Sequence, residues 1–146
     1  VESTTFDGET VFEHTESVAV DGADSRVVET LAVEDLTGAY ERSEVLVRVE
    51  YDCDAESYAN YELMDRYKHL DLPEPELKIA VESDLVTVSA EHAGLFVTLE
   101  TKADGVFSDN CFHLAAGEER TVTFDGNLDG VALAEDISVT HLRDTY

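Results

Sequence analysis

Tryptophan is missing from this chain, methionine occurs once, proline and cysteine twice each, and lysine and arginine together account for 9 of 146 residues. Each shortage excludes something. Nucleic acids and anionic membrane surfaces are gripped through basic patches. The only lysines, Lys68, Lys78 and Lys102, are scattered, so neither nucleic acid nor membrane is an expected partner. Two cysteines, Cys53 and Cys111, cannot build the dense disulfide framework of a small secreted scaffold. They are expected as free, mostly buried thiols in different modules. No apolar run approaches the roughly 20 residues of a membrane-spanning helix. No signal peptide opens the chain, no N-x-[ST] sequon occurs, and the first residues, Val1 to Phe6, begin abruptly, as a cut fragment would. A missing Gly-rich loop argues against nucleotide phosphates, and the missing Trp weakens the case for a sugar-stacking face.

What the chain has in excess is acid. Asp and Glu total 34, for a net charge of -25. Acidic chains poor in apolar residues stay disordered, but 43% of this chain is apolar and the acid is spread along its length, so a folded domain with an acidic surface is expected. At low salt such a surface repels itself. In molar salt the Debye length shrinks to about 3 Å and the repulsion is screened. This favours a halophilic source and a cytoplasmic location there.

The apolar residues recur with period two, the signature of strands. Val45, Val47, Val49 and Tyr51 share one face; Val86, Val88 and Ala90 alternate with Thr87 and Ser89; Leu95, Val97 and Leu99 alternate with Phe96 and Thr98. Val122 and Phe124 continue the pattern, as do Ile137 and Val139, and further strands are expected around Thr10–Val20 and Arg26–Val33. Asp-Gly pairs at 7–8, 21–22, 104–105, 125–126 and 129–130 read as tight turns between them. Short strands with such punctuation predict an all-β, immunoglobulin-like sandwich architecture. The one helical candidate is Tyr58–Tyr67, with an irregular strand as its alternative.

Leu72-Pro73-Glu74-Pro75 is the best boundary, because closely spaced prolines stiffen a chain and interrupt a strand ladder. It divides residues 1–72 from 73–146, two modules of about seventy residues each, near the lower limit for independent folding. The first looks short of a strand at its start.

No catalytic pair stands out among so many carboxylates, although a glycosidase needs two at a set separation. Asp125-Gly126-Asn127-Leu128-Asp129-Gly130, with Asp136 twelfth, resembles the opening of a calcium loop. Asp is shorter than the usual bidentate Glu, and no helices flank the segment, so a double turn is the preferred reading. Asp52-Cys53-Asp54-Ala55-Glu56 is a weaker match, with Ser57 where the Gly belongs. Cys111 and His113 are spaced to share a strand face; a core thiol beside a surface imidazole is preferred to a nucleophile or half a metal site. His14, His69, His92 and His141 show no ligand spacing. No cofactor is expected.

Two stretches resemble a known family. Asn60 is followed by Lys68-His69-Leu70-Asp71-Leu72-Pro73-Glu74-Pro75, and further on come Phe107-Ser108-Asp109-Asn110-Cys111-Phe112-His113-Leu114 and Gly117-Glu118. Together they resemble the C-terminal region of β-mannosidases of glycoside hydrolase family 2. There an Asn precedes a K-x-L-x-L-P-x-P linker, and F-S-D-N-x-F-x-L-x-x-G-E lies in the last immunoglobulin-like domain. Cys111 departs from the aromatic residue common at its position. Residues 11–36 loosely resemble the preceding immunoglobulin-like domain.

The resemblance implies two β-sandwich modules, the first incomplete, that follow a TIM barrel and pack on it. The catalytic glutamates of such an enzyme lie at barrel strand ends, so none is carried over to this chain. The implied function is a non-catalytic accessory region whose partner is the remainder of the glycosidase chain, with oligosaccharide as a further partner. The competing readings are a carbohydrate-binding module and a halophilic surface immunoglobulin-like domain. Ser108, Asp109 and Asn110 are expected to cap backbone N–H groups, Phe107, Phe112 and Leu114 to anchor the core, and Gly117 to turn the chain.

Overall fold

A computed structural model describes residues 1–19, 22, 25–53, 56–127 and 133–145. These form two compact units, one of Val1–Thr5 and Glu9–Asp71, the other of Phe6–Gly8 and Leu72–Tyr146. Secondary structure is mostly antiparallel strand, with two short helices, α1 (Val33–Thr37) and α2 (Leu133–Asp136), among the described residues.

In the first unit, β1 (Glu2–Thr5), β2 (Thr10–Glu13), β3 (Val45–Cys53) and β4 (Glu56–Leu63) make one antiparallel sheet in the order β2-β1-β3-β4. Its buried part is small. Val45, Leu46 and Val47 are sealed where β3 lies beside β1, and Ser3 sits among them because its hydroxyl donates to the Leu36 carbonyl at 2.7 Å. Beyond Arg48 the β3–β4 hairpin leaves the core, and Val49, Tyr51 and Tyr58 are exposed although the period of two continues.

Several expectations for this unit are corrected. The strand expected over Thr10–Val20 ends at Glu13, and Val20 lies outside the described residues. Arg26–Val33 is not a strand: Val27 is 80% exposed, and no strand among the described residues offers its backbone a ladder. The β preference of such a run expresses packing on a half-buried pleated surface, and none is supplied here. Tyr58–Tyr67 is strand through Leu63, followed by a 3-10 turn at Tyr67–His69.

The second unit is a β-sandwich. β5 (Lys78–Glu82), β6 (Leu85–Ser89), β8 (Asp104–Phe107) and β10 (Glu119–Asn127) form one sheet in the order β5-β6-β10-β8. β7 (Gly94–Glu100), β9 (Phe112–Leu114) and β11 (Ser138–Thr140) form the other, in the order β11-β7-β9. The alternating faces read from the sequence meet between them. Val86 and Val88 of β6, Val97 and Leu99 of β7, Phe112 and Leu114 of β9, and Val122 and Phe124 of β10 share one buried cluster, joined by Leu133. Face-to-face packing of this kind needs one apolar residue in two along each strand.

The Asp-Gly pairs are the largest correction. Asp7-Gly8 lies in the chain reversal between β1 and β2, where Gly8 has φ +93°. Asp104-Gly105 and Asp125-Gly126 instead lie inside β8 and β10 and face each other across the ladder, with Gly105 opposite Gly126. A Cβ on Gly105 would stand 2.5 Å from Cζ of Phe124 and 2.6 Å from the Asp125 carbonyl oxygen. Here glycine serves close approach of two backbones under an aromatic ring. Asp21, Asp129 and Gly130 lie outside the described residues.

Candidate functional site

The residues of the two family-like stretches fall in different units. Asn60, exposed on β4 opposite Val49, Lys68, exposed in the 3-10 turn, and Leu70, 5% exposed, belong to the first. Leu72, Pro73 and Pro75 open the second. Leu72 and Pro75 are buried and Pro73 is half-buried. The Pro75 carbonyl accepts hydrogen bonds from the Glu91 and His92 amides at 3.0 and 3.3 Å, and Pro75 packs beside Gly94. The proline that blocks a strand ladder therefore serves as a wedge with its acceptor satisfied.

The Phe107–Glu118 stretch is a lattice of side chains answering backbone groups. Phe107 tilts against Phe124 with ring centres 5.1 Å apart. Ser108 makes a two-way bond with Thr123: its amide donates to the Thr123 carbonyl at 2.8 Å, and its Oγ accepts from the Thr123 amide at 2.9 Å. Asp109 accepts from the Asn110 amide at 2.8 Å and from Nη1 of Arg120 at 2.7 Å, and that guanidinium lies 5.0 Å over the Phe112 ring.

Asn110 imitates a strand residue. Its Oδ1 accepts from the Leu99 amide at 2.8 Å while its Nδ2 donates to the Leu99 carbonyl at 2.9 Å. β9 pairs with β7 only at Gly94 and Val97, so the side-chain amide extends that ladder past the end of β9. The same Oδ1 accepts from the Cys111 amide at 3.0 Å, across a backbone turned to φ +60° at Cys111. Phe112 and Leu114 enter the core, and Gly117 (φ +74°) turns the chain, its amide donating to the Ala90 carbonyl at 2.9 Å. Glu118 closes the turn by accepting from the Ala115 amide at 2.8 Å.

His113, expected as a surface imidazole beside Cys111, is half-buried instead. Its Nδ1 accepts from the amide of Phe96, a residue forced to φ +52° where the β7–β9 register shifts. The two rings meet edge to face at 4.5 Å. Burial, and then the Arg120 charge, hold the imidazole below its ordinary pKa. It therefore acts as a neutral clamp on a bulge. The expected core Cys111 is corrected: both Cys53 and Cys111 are free and exposed, Cys53 where the β3–β4 hairpin has left the core and Cys111 because a left-handed backbone points it outward.

The double turn preferred for the segment opening at Asp125 is also corrected. Asp125, Gly126 and Asn127 are extended in β10, while Leu128 to Ala132 lie outside the described residues. Asp136 is already committed: one of its oxygens accepts from the Thr101 hydroxyl at 2.7 Å and the Lys102 amide at 2.6 Å, and the other faces Lys102 Nζ at 3.3 Å. The Lys102 amide, then the Thr101 hydroxyl, hold this carboxyl below the usual range. It borders an open groove of about 830 Å³ whose lining includes Phe107, Asn110 and Lys102. The weaker match at 52–56 includes Asp54 and Ala55, also outside the described residues. Its Asp52 accepts from the Ser57 hydroxyl at 2.5 Å across the hairpin.

The second unit is thus an Ig-fold β-sandwich in which the polar residues of the motif brace strands. The chain matches the Ig_mannosidase Ig-fold domain over residues 72–145. It belongs to that family, which occurs in β-mannosidase-like proteins; such a domain is non-catalytic by itself and fits a glycosidase parent. No curated protein matches the chain.

Proposed function

We propose that this chain is the non-catalytic C-terminal region of a β-mannosidase-like glycoside hydrolase of halophilic type, in which two tandem immunoglobulin-like modules, residues 1–72 and 73–146, pack on a catalytic TIM barrel and support it. The family match over 72–145 carries the reading. The β3–β4 hairpin supports it, because its outer half exposes Val49, Tyr51 and Tyr58, apolar surface suited to burial against the rest of a larger chain. The halophilic part rests on the net charge of -25 and on the fact that no Asp or Glu is buried among the described residues, so the acid forms the surface.

The test compares a parent enzyme with and without this region. The isolated chain releases no product from aryl-mannosides above background, and its deletion shortens the parent's half-life on heating. Turnover by the isolated chain, or a parent equally durable without it, refutes the proposal.

One observation favours a second reading, oligosaccharide binding. Tyr51 and Tyr58 sit opposite each other across the hairpin, their rings stacked 5.1 Å apart at 17° and exposed, and the Tyr58 hydroxyl donates to Glu56. Sugars stack on exposed rings of this kind. Titration with manno-oligosaccharides that shifts the Tyr51 and Tyr58 ring resonances supports it; unshifted rings at millimolar ligand reject it.

A further inference from the structure

We propose that His14, Glu16 and Glu29 form a binding site for a divalent cation of the zinc type, which staples together the two segments 14–19 and 25–32 between β2 and α1. One ligand atom from each of the three residues lies within 4.8 Å of the others. For metal–ligand bonds of about 2.0–2.2 Å, tetrahedral ligand atoms stand roughly 3.3–3.6 Å apart. Closing the present arrangement takes a movement of about 1 Å, well within reach of two exposed glutamates.

The imidazole points to a ligand independently of the acid around it. Nε2 of His14 is shielded from solvent and has no hydrogen-bond partner among the described residues. A buried polar atom left unpaired is costly, and coordination through Nε2 would satisfy it. The residue is also held in place. Its amide donates to the Val1 carbonyl at 2.8 Å, continuing the β1–β2 ladder, and its ring stacks on Phe12 with centres 6.4 Å apart. Glu16 follows two residues on, and its carboxylate reaches the same cluster. Glu29 comes from the returning segment and keeps its carboxylate near by accepting from the Thr30 amide at 3.0 Å.

One imidazole nitrogen with two carboxylates suits a zinc-type ion, with water completing the coordination. Calcium prefers six to eight oxygens. Residues 14–19 and 25–32 are neither helix nor strand. A metal bond between them would tie the returning segment to His14, which the β1–β2 ladder already holds.

The test uses the whole chain and Zn2+ alone, in molar potassium chloride so that diffuse attraction to the acidic surface is screened. Calorimetry is expected to find one equivalent bound per chain, with shifted His14 ring resonances and no displacement by excess Mg2+. Loss of an outer-shell partner already weakens metal sites about 10–100-fold, so E16Q and E29Q are each expected to weaken binding at least tenfold. Both residues are exposed, and both variants keep the wild-type circular dichroism. Undetectable binding, affinity unchanged in the E16Q/E29Q double variant, or ready displacement by Mg2+ overturns the site.

Discussion

Replacing Asn110 by alanine removes both ends of a side-chain bridge that stands in for a strand. The Leu99 amide and carbonyl lose partners at 2.8 and 2.9 Å, and Leu99 is only 2% exposed. Each hydrogen bond is worth about 1 kcal/mol net, and each orphaned buried group costs about 1–3 kcal/mol. Asn110 itself is exposed, so water reaches part of the gap, and the expected loss is about 2–4 kcal/mol, below the sum of the full penalties. For a unit of this size that is roughly 10–25 °C in melting temperature. The assay is thermal unfolding by circular dichroism in molar salt, with hydrogen exchange at the Leu99 amide as the local reporter. N110D sharpens the test: its carboxylate keeps the acceptor for the Leu99 amide but turns a second oxygen toward the Leu99 carbonyl. It should be destabilised at neutral pH and recover as acid protonates it into a donor. A loss below about 0.5 kcal/mol in N110A, the level of an ordinary surface change, with unchanged exchange at Leu99, refutes the strand-mimic argument.

Three further outcomes are expected. G105A forces a methyl against Phe124 and the Asp125 and Gly126 backbone at 2.5–2.6 Å, for a loss of about 2–3 kcal/mol; urea unfolding that matches wild type would contradict the glycine-pair packing. His113 has a folded pKa below its ordinary value of 6.5, so the unfolded chain binds more protons between the two values and stability rises with pH there. The His113 contribution is complete above about 6.5 and is lost as pH falls through the lowered value; H113Q, which keeps an acceptor but does not titrate, should flatten that part of the stability profile. Finally, melting temperature should climb steeply from dilute to molar salt as repulsion within a net charge of -25 is screened, and a flat response would remove the halophilic argument.

The sandwich was legible because alternation is a property of consecutive residues. Val86, Val88, Val97, Leu99, Val122 and Phe124 had to face one side of any strand containing them, and they do. The capping chemistry of Ser108, Asp109 and Asn110 was legible as a type, because short polar side chains seek nearby backbone groups. Their particular partners were not: Asn110 answers Leu99 and Ser108 answers Thr123, eleven and fifteen residues away. Arg120 over Phe112 and His113 on the Phe96 amide likewise left no local trace.

The sequence by itself determined the acidic charge, the strand-bearing segments and the family-like stretches, since all three are carried by residues in order along the chain. The tertiary structure alone decided which residues meet. Gly105 and Gly126 read as turns until register set them opposite each other, and Cys111 read as core until a left-handed backbone turned it outward. Arg26–Val33 read as a strand but pairs with none among the described residues, and Glu29 arrives at His14 from fifteen residues along the chain. In each case the local preference was real, and the outcome depended on a partner brought by another part of the chain.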